Sequence, residues 1–384
     1  MKYWRGYLVA AILAAITWAL VQFAQAHSIL VDMVYPYMTR LVVTSMAAWT
    51  GDMAFCLWQV LLIGMVVLGI VTLILMILLK WNFFQWLGWV LASISCVVML
   101  HTVVYGLNQY ASPLADDVRL EVIDYTVSEL NEATVYFRDK ANTLALELPR
   151  DSKGNLDIGT FEELAEKAGK GFEVLAYDEA ISVFAGSTVP VKKLGWTAFY
   201  GGEFGVTVAL TGEAAVNPKV PSAILPFAMC NEMAHRMSIY SDADAAFAAF
   251  LAGSSNPSKA FQYSAYLMAY NYCYTALSQI PTSAAQASAT ETDKGVNEKL
   301  RHDLQSYEKF FGEAQAENNR APIPEAAKDE NSPIAFSEYS NAADLLTNWY
   351  VQTYIVPQHV EEEALFNPLD PNQVDLSGLV NAKK

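Results

Sequence analysis

Between Ile224 and Ala252 the chain reads ILPFAMCNEMAHRMSIYSDADAAFAAFLA, and its densest chemistry is the pentapeptide Asn231-Glu232-Met233-Ala234-His235. Helix positions four apart share a face, so Asn231 and His235 project together with Glu232 one residue round. With histidine at both ends, this spacing holds Zn²⁺ between two neutral imidazoles. The glutamate then takes a proton from the metal-bound water that attacks an amide. A third ligand completes such a site and leaves one position open. Asp242 and Asp244 stand where an acid from the next helix would enter. On its own the pattern is weak, because three matching residues are easily met by chance.

The elements around it are readable from local signals. Tyr7 to Ala26, Met53 to Leu79 and Phe83 to Leu107 contain no Asp, Glu, Lys or Arg. Each has the roughly 20 residues needed to cross a hydrocarbon core, which predicts a membrane anchor over residues 1–110 with spans at about 7–26, 53–79 and 83–107. Lys2, Arg5 and Lys80 flank these spans and place the amino terminus and the second turn in the cytoplasm. Residues 111–384 then form an extracytoplasmic domain with an irregular tail at about 358–384. Ala24-Gln25-Ala26 also resembles a signal-peptidase site, but the apolar run before it exceeds a signal core, so a retained anchor is expected.

In the outer part, Val118 to Leu146 reads as one long amphipathic helix, and Thr160 with Glu163 as a capping box. Alternation at Val206, Val208 and Leu210 reads as a strand. Ser222 and Ser241 are expected to cap the motif helix and the one after it. Asn256-Pro257 should open a third helix through Gln279. Residues 280–297 read as a solvated loop, followed by helices at about 297–317 and 336–354. The fold class is therefore three transmembrane helices plus a mainly α, α+β outer domain with a small edge strand or sheet.

The chain has 24 Lys plus Arg against 40 Asp plus Glu, and the excess acid lies beyond residue 110. Such a field repels phosphate backbones and argues against nucleic-acid partners. Cys56 and Cys96 fall in spans, and Cys230 and Cys273 have no disulfide or zinc spacing, so they read as packed thiols.

The wider sequence resembles an uncharacterised bacterial family of three-pass membrane proteins with an outward zincin-like domain of the gluzincin type. The residues that carry the resemblance are Tyr35-Pro36, VVYGLNQY at the close of the third span, TGEAAVNPKVP at 211–221, LPFAMCNEMAH at 225–235, DADAAFAAFLA at 242–252 and FQYSAYL at 261–267. The resemblance implies a zincin-like outer domain related to metallopeptidases. It makes His235 and Asp244 the candidate metal ligands, Asn231 a degenerate ligand position and Glu232 the general base if the protein is active.

The family pattern has histidine at 231 and glutamate at 244. An amide ligates Zn²⁺ poorly, and Asp withdraws the carboxylate by one methylene, so zinc is a possible cofactor whose binding both changes weaken. Without metal, Glu232 is a buried acid paired with a neighbour such as Arg236. Glu213 and Asn217 are candidates for a substrate cleft in which peptides pair with an edge strand, or else are turn residues before Pro218. Tyr263, in a tyrosine-rich helix, is a candidate oxyanion donor or a packing aromatic.

Three functions follow. The first is a membrane-anchored pseudo-peptidase that binds peptides or surface proteins. The second is an active metallopeptidase with an unusual ligand set. The third is a non-catalytic membrane scaffold without the motif-helix pair and edge strand. On the zincin-like readings Asp244, rather than Asp242, should lie beside His235, and the strand from Thr211 to Val216 should border the cleft.

Overall fold

The computed structural model describes residues 4–178, 181–186, 188–196, 203–318, 333–334 and 341–356. Three helices among them are long and apolar enough to cross a membrane: α1 (Arg5–Ala26), α3 (Leu57–Leu78) and α4 (Phe83–Val104). Between the first two lies α2 (Ser28–Gly51), a helix that carries Asp32, Pro36 and Arg40. α1 and α4 run parallel in close contact. A Cβ on Gly6 would sit 2.4 Å from the Gly88 backbone, near the start of both helices. At the far end Ala24 and Leu107 share one cluster. Such close approach by small residues is the usual means of helix association in lipid. A tight turn joins α3 to α4, with Lys80 in left-handed backbone at φ 52°. Arg5 and Lys80 therefore lie at one end of the bundle, and α2 and the described residues after Gly106 begin at the other.

Both ends of α2 touch the globular part. Asp32 accepts the Ser112 N–H at 2.9 Å, and the Thr50 hydroxyl donates to the Thr211 carbonyl at 3.1 Å. At 1.5 Å per residue α2 is about 36 Å long. Contacts at both of its ends lay it along the globular part. Its inner face buries Val31, Thr39, Val43 and Ala47, while Ile29, Met33, Tyr37, Leu41 and Trp49 are exposed.

After a 3₁₀ turn (Gly106–Tyr110) come α5 (Leu114–Asp117), β1 (Tyr125–Thr126) and α6 (Val127–Glu147). α6 starts later than expected because Thr126 and Glu129 form a capping box that fixes its first turn. The Thr160–Glu163 box opens α7 (Phe161–Glu173) as expected. A three-stranded sheet follows, from β2 (Lys192–Lys193), β3 (Gly205–Val208) and β4 (Glu213–Val216), in the order β2-β4-β3. The single expected strand is thus a hairpin, turned at Gly212 (φ 65°), where a Cβ would meet the backbone of Ala47 and Val43 in α2.

The motif helix α8 (Leu225–Arg236) has Ile224 at its N-cap without a side-chain cap, so Ser222 does not serve. α9 (Asp242–Ser255) is capped by Ser241, whose hydroxyl accepts from Asp244 N. α10 (Lys259–Gln279) begins after Ser258, not at Pro257. The expected loop at 280–297 is largely a helix, α11 (Ser283–Lys294): Thr282 caps it, and Ala285 and Ala289, four apart, bury against the core. α12 (Glu298–Asn318), the short β5 (Pro333–Ile334), paired with β1, and α13 (Ala342–Tyr350) complete the fold. The tail beyond residue 356 lies outside the described residues. Phe137, Phe250, Tyr266 and Trp349 pack ring on ring at the centre of the helical core. Cys230 and Cys273 are free, buried thiols within that core.

Candidate functional site

α8 is almost wholly buried, and its last two turns present Asn231, Glu232 and His235 to a cleft of about 430 Å³. α8 ends in a Schellman motif: Ile239 N–H bonds Ala234 carbonyl, Ser238 N–H bonds His235 carbonyl, and Ser238 takes the left-handed position at φ 74°. That reversal brings the Ile239 carbonyl within 3.0 Å of His235 Nδ1. A carbonyl only accepts, so Nδ1 carries a proton here, and in the neutral imidazole the Nε2 lone pair is the one left toward the cleft. A metal ligand or general base uses the imidazole in that state. The Tyr105 hydroxyl, just past the end of α4, lies 3.2 Å and 3.3 Å from the His235 and Ile239 carbonyls and ties this corner to the membrane anchor.

Glu232 is 5% exposed and lies against β3. Thr207 meets its carboxylate at 2.7 Å, so the partner of Glu232 is Thr207 and not the expected Arg236, which donates to the Val189 carbonyl. Burial raises the Glu232 pKa, partly offset by His235 and the Thr207 hydrogen bond, while Asp242 and Glu203 push it further up. Gly205 makes this fit possible: a Cβ there would lie 2.2 Å from the Ala215 carbonyl oxygen and 2.8 Å from Glu232 Cγ.

The acid beside His235 is Asp242, with Oδ1 3.7 Å from Nε2. Asp244, two residues on and so about 200° round the helix, bonds Ser241 and lines a different cavity. The strand bordering the cleft is β3 rather than the Thr211–Val216 segment, because β4 sits in the middle of the sheet.

Three other candidates also lie elsewhere. Glu213 accepts the backbone N–H groups of Leu57 and Trp58, at 2.8 and 2.9 Å, and pairs with Lys192 at 2.7 Å; it caps the membrane helix α3. Asn217 is the turn residue, accepting from Lys219 N. Tyr263 is fully buried and donates to Asp303, which Arg150 grips with two hydrogen bonds. The tyrosines of the cleft are Tyr105, Tyr240, Tyr272 and Tyr307. Tyr272 lies nine residues after Tyr263, two and a half turns, and so on the opposite face of α10, a signal the sequence carried. Tyr307 comes from α12, and no local pattern marked it. His302 contacts Asp303 at 3.4 Å away from the cleft, and His359 lies outside the described residues.

Catalytic zinc takes three protein ligands at about 2 Å. Here one imidazole and one exposed carboxylate face each other beside an amide. Among the described residues no three His, Cys, Asp or Glu side chains converge as a metal cage.

Fold and hydropathy together define a multi-pass membrane protein with a mostly helical globular part and a small sheet. The chain belongs to the family described as Protein of unknown function (DUF3810), whose model matches residues 31–328. Neither a curated protein nor a solved structure matches it.

Proposed function

We propose that this is a membrane-anchored, zincin-like protein that binds extended peptide or surface-protein segments and has lost efficient metal-dependent hydrolysis. Its amino terminus and the Lys80 turn lie in the cytoplasm, and residues 111–384 lie outside. In support, Arg5 and Lys80 share one end of the bundle, which suits the excess of positive charge on cytoplasmic turns. The exposed apolar stripe of α2 suits a helix lying in the bilayer surface, since a contiguous patch of that size is seldom left in water.

The observation that carries the reading is the cleft itself. Among the described residues β3 is an edge strand of its sheet and runs beside Glu232 and His235, where an extended segment can add by backbone hydrogen bonds. At the position that needs a second imidazole stands Asn231. Glu232, buried and raised in pKa, serves as a hydrogen-bonding group to the bound backbone. The pairing of α8 with α9 beside the exposed edge of β3 supports this reading over a non-catalytic scaffold. A second reading, a metallopeptidase using His235, Asp242 and Glu232, is favoured by the open Nε2 with Asp242 3.7 Å away.

Zinc analysis of the full-length protein, purified in detergent under metal-replete conditions, separates the two. Well under one zinc per chain, with peptide capture that survives a chelator, is expected. One zinc per chain that disappears in His235→Ala, together with chelator-sensitive cleavage lost in Glu232→Gln, overturns the proposal.

A further inference from the structure

On the other side of the start of α9 lies a second cavity of about 430 Å³, walled by α2, the 3₁₀ turn with the segment after it, and the loop from Met237 to Ser241. Its wall is polar and incompletely hydrogen-bonded. Asn108 is 5% exposed, and neither end of its amide has a hydrogen-bond partner. Ser238, 9% exposed, holds its strained backbone with an unpartnered hydroxyl. Arg40 donates to the Ser182 carbonyl at 3.1 Å and leaves Nε unmatched. Asp117 and Asp244 share the cavity, and burial holds both carboxyls above their usual range. Asp32 is occupied at the rim by the Ser112 N–H. Buried donors and acceptors left unmatched are costly, and here they gather on one cavity.

We infer that this cavity binds a small zwitterion carrying a primary ammonium and a phosphate, the chemistry of a phosphoethanolamine headgroup. Three carboxylates face a single guanidinium, so the cavity favours a cation. A primary ammonium has three N–H donors, which match Asp117, Asp244 and the Asn108 carbonyl oxygen. Arg40 and Asn108 are the lining side chains that carry donors for phosphate. A quaternary ammonium has no N–H to give and would leave the carboxylates unsatisfied.

Position names the source. Met33, Pro36 and Tyr37 of α2 line the mouth, and α2 joins two membrane spans at its ends, which sets the cavity at headgroup depth. The inference rests on that bilayer placement and not on the peptide cleft, so metal or peptide results leave it untouched.

The test titrates delipidated full-length protein in detergent with phosphatidylethanolamine, its N-methylated forms and phosphatidylcholine, read by native mass spectrometry. Phosphatidylethanolamine should bind at least about tenfold more tightly than phosphatidylcholine, with affinity falling at each methylation. Asp244→Asn, which keeps an acceptor for Ser241, should reduce that preference about tenfold. Free phosphoethanolamine, followed by thermal shift, separates the sources: weak binding without acyl chains assigns a lipid, and equally tight binding assigns a soluble zwitterion. Equal affinity across the methylation series in the unaltered protein overturns the inference without recourse to any variant, as does unchanged selectivity in a folded Asp244→Asn protein.

Discussion

Glu213 gives the sharpest test of how the globular part is joined to its anchor. Its side chain is fully buried, that of Lys192 is 11% exposed, and the carboxylate takes three hydrogen bonds, two from the first turn of α3 and one from Lys192. Lys192 also donates to the carbonyls of Thr50 and Phe55. Removing the acid strands a buried ammonium and two helix-end N–H groups; breaking a buried pair from one side costs roughly 3–5 kcal/mol. Glu213→Ala should therefore lose about 4 kcal/mol, a fall in Tm of roughly 8–15 °C at the sensitivity of larger domains. Lys192→Met should cost less, and the double variant no more than Glu213→Ala alone, because the stranded charge is gone. Differential scanning fluorimetry of the detergent-solubilised protein reads all three. A fall below about 2 °C for Glu213→Ala, or a double variant equal to the sum of the singles, would refute the capping role.

Three further outcomes are expected. Asn231→His restores a second imidazole one turn from His235; structural zinc sites hold roughly 10–16 kcal/mol over four ligands, so one ligand should raise zinc affinity on the order of 100-fold or more by competition with a chelating dye. Burial pushes Asp344 up to about 6, despite the Tyr125 hydroxyl that donates to it. From about pH 4 to about 6 the folded state thus holds the extra proton, and stability falls by about 3 kcal/mol as pH rises through that window. Asp344→Asn should remove this part of the difference in denaturation midpoints between about pH 4.5 and about pH 7.5, and an unchanged difference would assign it elsewhere. Gly171→Ala would place a Cβ 1.8 Å from the Ala252 carbonyl oxygen where α7 crosses α9; a loss of about 3 kcal/mol in chemical denaturation checks it, and a neutral result would mean that the two helices are farther apart.

What the sequence determined by itself was whatever a local rule governs. Lipid demands about 20 uncharged residues per span, so α1, α3 and α4 were legible. The Thr160–Glu163 box and the Ser241 cap were legible because each satisfies its own helix end within three residues. The one-face placement of Asn231 and His235 needed only helix geometry. Tertiary structure decided everything that depended on which surface met which. Asp242 and Asp244 are equivalent as sequence, and only the docking of the α9 start against α8 turns one to His235 and the other to the second cavity. Glu213 caps a helix whose first residue lies 156 positions earlier, and no spacing announces a partner across that separation. Tyr263 and Tyr272 differ only in the face of α10 they occupy, and the packing of α8 and α12 against that helix makes one a core residue and the other part of the cleft wall.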